Sequence, residues 1–170
     1  MKRTGKQPGF TIVELLIVIV VIGILATISI VAYTGIQQKA RNQQTIAAVG
    51  AYAKAMLLYS SDKGSYPIVR SPLSCMGIGY ICDGVNNGAT STQALLAELA
   101  PYMSSTPQPA TSTRVNDRTG ALYAQAGANY YFLFIQENQT TCPSIGLLSE
   151  HIGPDVSGGH VVCRLKLPLL

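Results

Sequence analysis

The sequence predicts an α+β fold in which a long N-terminal helix packs on a small antiparallel β-sheet. Three observations predict it: residues 15–26 are an unbroken apolar run, residues 33–59 continue it without proline and with apolar side chains at helical spacing, and short segments rich in Tyr, Phe, Val and Leu come only in the last third of the chain. An amphipathic helix must bury its apolar stripe, and the apolar face of a sheet can cover it.

The apolar run is long enough to cross a membrane. Between residues 15 and 32 only Thr27 and Ser29 interrupt it. These eighteen residues span about 27 Å at about 1.5 Å per residue, close to the ~30 Å thickness of the hydrocarbon core. The first half of the helix is therefore predicted to be transmembrane.

The basic charge of the chain is concentrated at its start. Lys2, Arg3 and Lys6 are three of the twelve Lys and Arg, so the chain after residue 9 has nine of them against eight Asp and Glu, a net charge of +1. A short basic head before an apolar run is typical of a cytoplasmic N-terminus. Because no basic stripe follows, nucleic acid is the least favoured partner.

Glu14 lies at the edge of the predicted membrane segment. A carboxylate there costs about 2–3 kcal/mol or more, so it is expected to have a partner. A secretory signal peptide has a shorter apolar body and a small-residue cleavage site after it, and an uncleaved anchor has no use for the glutamate. A new N-terminal amine at Phe10 would be a cation able to neutralise Glu14 inside an apolar helix bundle.

The stretch KQPGFTIVELLIVIVVIGILATISIVAY, residues 6–33, resembles the prepilin signature of type IV pilins and type II secretion pseudopilins. The resemblance rests on a basic leader that ends in Gly9, then Phe10, then Glu14 at the fifth position after the cleavage point. It implies that a prepilin peptidase cleaves between Gly9 and Phe10 and methylates the Phe10 amine. It also implies that Glu14 recognises the Phe10 amine of a neighbouring subunit.

The resemblance also implies a domain organisation, that of a pilin lollipop. Residues 1–9 would be the leader peptide, 10–33 the transmembrane and filament-core helix, and 34–170 the amphipathic half of the helix with an extracytoplasmic α+β head. Many family members have a proline where this chain has Val31. Here Gly23 remains, and Thr27 and Ser29 can bond back to the preceding turn.

The head is predicted in three parts. The amphipathic helix ends near Ser60, with Gly64 as a left-handed stop. Its apolar stripe is Ile46, Val49, Ala53, Met56 and Leu57, with Gln43, Gln44, Thr45 and Lys54 between. A loop region follows at 65–91. A capping box of Thr90 and Gln93 then opens a short helix at 94–103, whose Leu95, Leu96 and Leu99 are candidates for packing. Residues 104–120 are predicted to be irregular, and the strands are 121–125, 128–136 and 160–166.

All four cysteines follow the apolar run, which predicts two disulfides in an oxidising compartment. Three pairings are open, and sequence order favours Cys75–Cys82 and Cys142–Cys163. The second pair would staple the segment between the last two strands. Metal binding is the rival interpretation, but the cysteine spacing differs from that of zinc sites, and no metal or cofactor is expected.

No catalytic motif accompanies the histidines, His151 and His160, so an enzyme is not expected. Asp155, with Glu150 nearby, is a weak candidate for calcium. Asn138 begins an Asn-Gln-Thr sequon that predicts a surface loop.

The function expected from the resemblance is that of a structural subunit of a type IV pilus-like filament. Two alternatives stay open: a minor pilin for adhesion or DNA uptake, and a pseudopilin of a type II secretion-like system. The expected partners are further copies of the chain, minor pilins, prepilin peptidase and the assembly machinery. The subunit would be a single-pass protein of the inner or cytoplasmic membrane before assembly and part of a cell-surface filament afterwards.

Overall fold

The computed structural model describes most of the chain, without the side chains of residues 88–92 and 150–157; the described ranges are 9–68, 73–77, 88–110, 120–157 and 159–170. The chain divides into two units, Met1–Gln37 and Gln38–Leu170.

The long predicted helix is α1, Ile12–Lys63. The predicted back-bonds are confirmed, since the Thr27 hydroxyl donates to the Ile24 carbonyl at 2.7 Å and the Ser29 hydroxyl to the Leu25 carbonyl at 2.8 Å. The predicted stop is confirmed as well: Gly64 has φ +73° and its N–H donates to the Ser60 carbonyl at 2.8 Å.

The second half of α1 buries the predicted apolar stripe. Val49, Ala53 and Met56 are buried, while Ile46 and Leu57 are partly buried against the same core. One of the polar residues between them, Thr45, is also buried. Its hydroxyl is satisfied there, because it donates to the Arg41 carbonyl and accepts from the Ala110 N–H.

The sheet has five antiparallel strands in the order β1-β2-β3-β5-β4. Their bounds are Leu73–Met76 for β1, Ala121–Ala126 for β2, Asn129–Glu137 for β3, Ser149–Ser157 for β4 and His160–Lys166 for β5. The three predicted strands correspond to β2, β3 and β5, so the α+β class is confirmed.

Both edge strands of this sheet were missed by the sequence prediction. β1 has only four residues and lies in the region predicted as a loop. β4 contains Gly153 and Pro154, and its register with β5 shifts twice. Proline removes a ladder donor, which an edge strand tolerates and a central strand does not. A strand of this kind has no clean alternation for sequence reasoning to find.

The core lies between the second half of α1 and one face of the sheet. Its largest fully buried side chains include Tyr52, Met56, Tyr123, Phe132, Phe134 and Leu165. The other face of the sheet carries a smaller cluster: Cys75, Leu122, Ala124, Tyr131 and Leu133.

The short predicted helix is α2, Gly88–Leu99, followed by a 3₁₀ turn, Ala100–Tyr102. It begins two residues before Thr90, so the predicted start at a Thr90 capping box is wrong. It also ends earlier than predicted, at Leu99, with Pro101 in the tighter turn. Leu95 and Leu99 are buried, as expected.

Residues 104–110 have no regular structure, as predicted, but they are tied to α1 as a strap. The strap's backbone makes three hydrogen bonds to helix side chains: the Pro107 carbonyl with Tyr52, the Gln108 carbonyl with Gln44 and the Ala110 N–H with Thr45. The rest of the predicted irregular segment, 111–119, lies outside the described residues.

The predicted Cys142–Cys163 disulfide is confirmed, with the two Cα atoms 5.5 Å apart. Cys163 is fully buried in β5, and the bridge ties the loop after β3 to it. Cys75 is also disulfide-bonded. Its predicted partner, Cys82, lies outside the described residues.

Candidate assembly site at the N-terminal helix

The first turn of α1 is closed by a reciprocal pair of residues, Thr11 and Glu14. Glu14 Oε2 accepts from the Thr11 backbone N–H at 2.9 Å and from the Thr11 hydroxyl at 2.6 Å. The Glu14 N–H in turn donates to Thr11 Oγ1 at 3.3 Å. With Ile12 as the first helical residue, this is a capping box, in which two backbone donors at the helix start are satisfied.

The capping box gives Glu14 a partner within its own chain. Sequence reasoning assigned Glu14 only to an intermolecular contact and did not predict Thr11 as its partner, although the Thr-x-x-Glu spacing was readable. Both hydrogen bonds that Glu14 accepts from Thr11 use Oε2. A carboxylate has about four acceptor sites, so Glu14 can accept from a second donor without losing Thr11.

The predicted cleavage point lies just ahead of this turn. Gly9 and Phe10 are not helical, and the Phe10 side chain is 81% exposed. Among the described residues, and apart from its chain neighbours, no atom lies within 4 Å of the position that a Gly9 β-carbon would occupy. The bond between the two residues is therefore outside the helix and accessible. The basic residues of the predicted leader lie outside the described residues.

The part of α1 in the first unit exposes its apolar side chains on every side. Each large apolar residue between Ile12 and Ile36 has roughly half or more of its surface exposed. Within the described residues, α1 is the one helix that is long and apolar enough to cross a membrane, by length and composition alone. Signal sequences meet the same criterion, so the residues at the start of the helix must distinguish the two.

The predicted site residues fall in separate parts of the chain. Gly9, Phe10 and Glu14 are together at the start of α1, whereas the cysteines belong to the second unit. His160 opens β5 opposite Glu137, and its buried Nδ1 has no hydrogen-bond partner among the residues that the structure describes.

The candidate calcium ligands cannot be placed, because the side chains of Glu150 and Asp155 lie outside the described residues, as does that of His151. Among the side chains that the structure does describe, no three His, Cys, Asp or Glu form a metal-binding group. Asn138 is on the surface, as the sequon predicted, and its Nδ2 donates to Gln38 Oε1 at 2.6 Å.

An exposed acid–phenol pair marks the other end of α1. Asp62 Oδ2 accepts from the Tyr102 hydroxyl at 2.6 Å and lies 3.0 Å from Lys63 Nζ. The Tyr102 hydrogen bond, followed by Lys63, holds the pKa of Asp62 below its ordinary value. The same bond raises the pKa of Tyr102. The pair connects the end of the helix to the 3₁₀ turn.

Comparisons with known proteins locate the similarity in the N-terminal part of the chain. Residues 4–30 match the family model described as the prokaryotic N-terminal methylation motif. Type II secretion system core protein G of Escherichia coli K12 is 34% identical over 76 residues, which are 45% of this chain and 52% of that protein. This segment is similar to the type IV pilins and pseudopilins.

Two other relatives of the pilin and pseudopilin family are similar over comparable lengths. Type II secretion system core protein G of Vibrio cholerae is 33% identical over 45% of this chain and 52% of its own length. Fimbrial protein EcpC of Eikenella corrodens is 41% identical over 36% of this chain and 40% of its own length. The chain thus spans about half or less of the length of these relatives, and no solved structure matches it.

Proposed function

We propose that this chain is a structural subunit of a type IV pilus-like filament, cleaved between Gly9 and Phe10 and assembled through its N-terminal helix. The observation that carries the proposal is the first turn of α1. There, the Glu14 carboxylate caps the start of a helical segment, residues 12–36, whose large apolar side chains are all exposed. Such a surface must be covered by lipid or by other helices.

Covering the helix with copies of itself explains the glutamate. Burial of Glu14 removes water from a charge, and the capping box supplies hydrogen bonds but no opposite charge. Cleavage after Gly9 would create an amine at Phe10, one helical turn from Glu14 in sequence. In a bundle, the Phe10 amine of a neighbour would neutralise Glu14, so that two charges costly to bury separately are buried together.

The proposal assigns a role to each part of the chain. Residues 1–9 are the leader that prepilin peptidase removes, 10–33 the membrane and filament-core helix, and 34–170 the head outside the cytoplasm. The Cys142–Cys163 disulfide supports an oxidising location for the head. Before assembly, the subunit is a single-pass protein of the inner or cytoplasmic membrane. The assembly machinery and minor pilins are its further partners.

A second candidate function is that of a pseudopilin in a type II secretion-like system. The similarity to type II secretion core protein G covers 45% of this chain, against 36% for the fimbrial protein. A pseudopilin would use the same cleavage and the same Glu14 contact. The two functions differ in where the assembled filament is found.

The deciding experiment is to shear filaments from the cells and determine the N-terminus of the chain in each fraction by peptide mass spectrometry. N-methylated Phe10 as the main species in the sheared fraction supports the pilus subunit. Methylated Phe10 confined to the membrane fraction supports the pseudopilin. An intact Met1, or a start beyond the apolar run, contradicts both.

A further inference from the structure

The start of the head-bound part of α1 is fastened to the end of β3 by polar contacts that the proposed assembly does not use. We call this group the Asn42 clamp. It lies wholly within the second unit and consists of three helix residues and three strand-end residues: Gln38, Arg41, Asn42, Gln136, Glu137 and Asn138.

The centre of the clamp is a two-point bond between the Asn42 side chain and the Glu137 backbone. Asn42 Nδ2 donates to the Glu137 carbonyl at 2.8 Å, and the Glu137 N–H donates to Asn42 Oδ1 at 3.0 Å. Within the described residues, the pairing of β2 with β3 runs as far as Phe134, opposite Ala121. The Asn42 amide hydrogen-bonds the Glu137 backbone in the way that a neighbouring strand would.

Contacts around this bond restrict it further. Gln136 Nε2 donates to the Asn42 carbonyl at 3.4 Å, and Arg41 Nη1 lies 3.9 Å from Glu137 Oε2. Asn42 and Glu137 are only 6% and 5% exposed. At this burial a rotation or slide of the helix would leave polar groups without water and without partners, which is strongly unfavourable.

We propose that Asn42 is a positioning residue, which fixes the rotation and axial position of the sheet on α1. The apolar core cannot do this alone, because hydrophobic packing has no direction and tolerates small slides. The two hydrogen bonds between the Asn42 amide and the Glu137 backbone can form together in only one position of the helix on the sheet. On the basis of the proposed function, Asn42 also determines which surface of the head each subunit presents to its neighbours in the filament.

The test compares Asn42→Leu with Thr45→Val in the full chain. Leu has nearly the shape of Asn but can make neither of the two hydrogen bonds to the Glu137 backbone. Thr45 is a matched control because it is equally buried and lies one turn further along α1, but it bonds the Ala110 N–H of the strap and not the sheet. A merely structural role would make the two variants behave alike.

The first measurement is hydrogen exchange of the Glu137 amide in the detergent-solubilised chain. Loss of a hydrogen bond of this kind should speed exchange by about tenfold or more in N42L. T45V should leave the rate at Glu137 unchanged. Equal rates in N42L and the wild-type chain would overturn the clamp.

The second measurement is the helical twist and head orientation of sheared filaments by electron microscopy. N42L should give filaments with altered twist or with several head orientations, or should be processed and folded without forming filaments. T45V should give the wild-type geometry. N42L filaments with wild-type twist and a single wild-type head orientation would contradict the positioning role. If the wild-type chain itself forms no filaments, the proposed function fails, while the exchange measurement still judges the clamp.

Asn42→Asp provides an independent variant in case N42L does not fold. The ionised side chain cannot donate to the Glu137 carbonyl, but a protonated carboxyl can donate and accept as the amide does. Burial and the nearby Glu137 carboxylate would both raise the pKa of the new acid, whereas Arg41 would lower it. His160, on β5, lies opposite Glu137. Exchange at Glu137 should slow toward the wild-type rate below about pH 5, after correction for intrinsic exchange. No recovery in N42D would overturn the two-point bond.

Discussion

Glu14 accepts two hydrogen bonds from Thr11, one from its backbone N–H and one from its hydroxyl, so the helix that the filament would use begins with a formed cap. The carboxylate is therefore held in place before any neighbour arrives. A preoriented acceptor loses less conformational freedom on binding a cation than a free side chain does.

We predict that Thr11→Val weakens the start of α1 and slows assembly. Loss of the Thr11 cap should cost about 1 kcal/mol of helix stability. The matched control is Thr34→Val, because Thr34 donates to the Val31 carbonyl within the helix and caps nothing. Helix content by circular dichroism in micelles, together with filament yield, measures both effects. Equal behaviour of the two variants would argue against the cap.

We predict that reduction of Cys142–Cys163 loosens the head without affecting cleavage. The bridge closes a loop with a sequence separation of 21. In the chain-entropy model a loop of this size contributes about 3 kcal/mol. Limited proteolysis with and without reductant measures the loosening, and the fraction of chains starting at Phe10 is the internal control. Unchanged protease resistance after reduction would disprove the claim.

We predict opposite effects of two substitutions at Gly50, where α1 passes beneath Ile145. A β-carbon at Gly50 would lie 3.5 Å from Ile145 Cγ2, an ordinary contact distance. Gly50→Ala should therefore stabilise the head by about 0.5–1 kcal/mol through helix propensity. Gly50→Leu should overpack the same contact and cost about 1–3 kcal/mol. Urea unfolding of the full chain in detergent compares the free energies of unfolding of the two variants. Destabilisation by Gly50→Ala would show that the Ile145 side chain cannot move to accommodate the new β-carbon.

We predict that Tyr102→Phe raises the pKa of Asp62 toward its ordinary value, because the Tyr102 hydroxyl is the largest cause of the depression. A group with a depressed folded-state pKa stabilises the fold above its unfolded pKa, and loses that contribution as the pH falls through its folded pKa. The wild-type chain should therefore lose a little stability as the pH falls below the ordinary value of 3.8. The variant should lose less.

An NMR titration of the Asp62 carboxyl carbon checks this prediction. Tyr59→Phe is the control, since its hydroxyl bonds Glu98 and not Asp62. A Y102F variant that titrates like the wild-type chain would rule out the hydrogen bond as the cause.

Sequence reasoning succeeded where the signal is local. The start, length and end of α1 follow from the apolar run, the helical spacing and Gly64, all of which lie within the helix or next to it. It failed where structure depends on distant partners. β4 is a strand because β5 is beside it, despite Pro154, and Asn42 is buried because its amide hydrogen-bonds the backbone of Glu137, 95 residues further along the chain. Neither partner can be identified from its own segment.

The strap, residues 104–110, is hydrogen-bonded to α1 through its own backbone groups: two carbonyls and one N–H. The side chains that hold it belong to the helix. Substitutions at the exposed strap positions Ser104 and Ser105 therefore leave these hydrogen bonds in place, whereas Pro109 and Ala110 are buried and a proline at position 110 would remove the N–H. The exposed part of this stretch can therefore differ in sequence from one lineage to another, and the scaffold beneath it does not have to change.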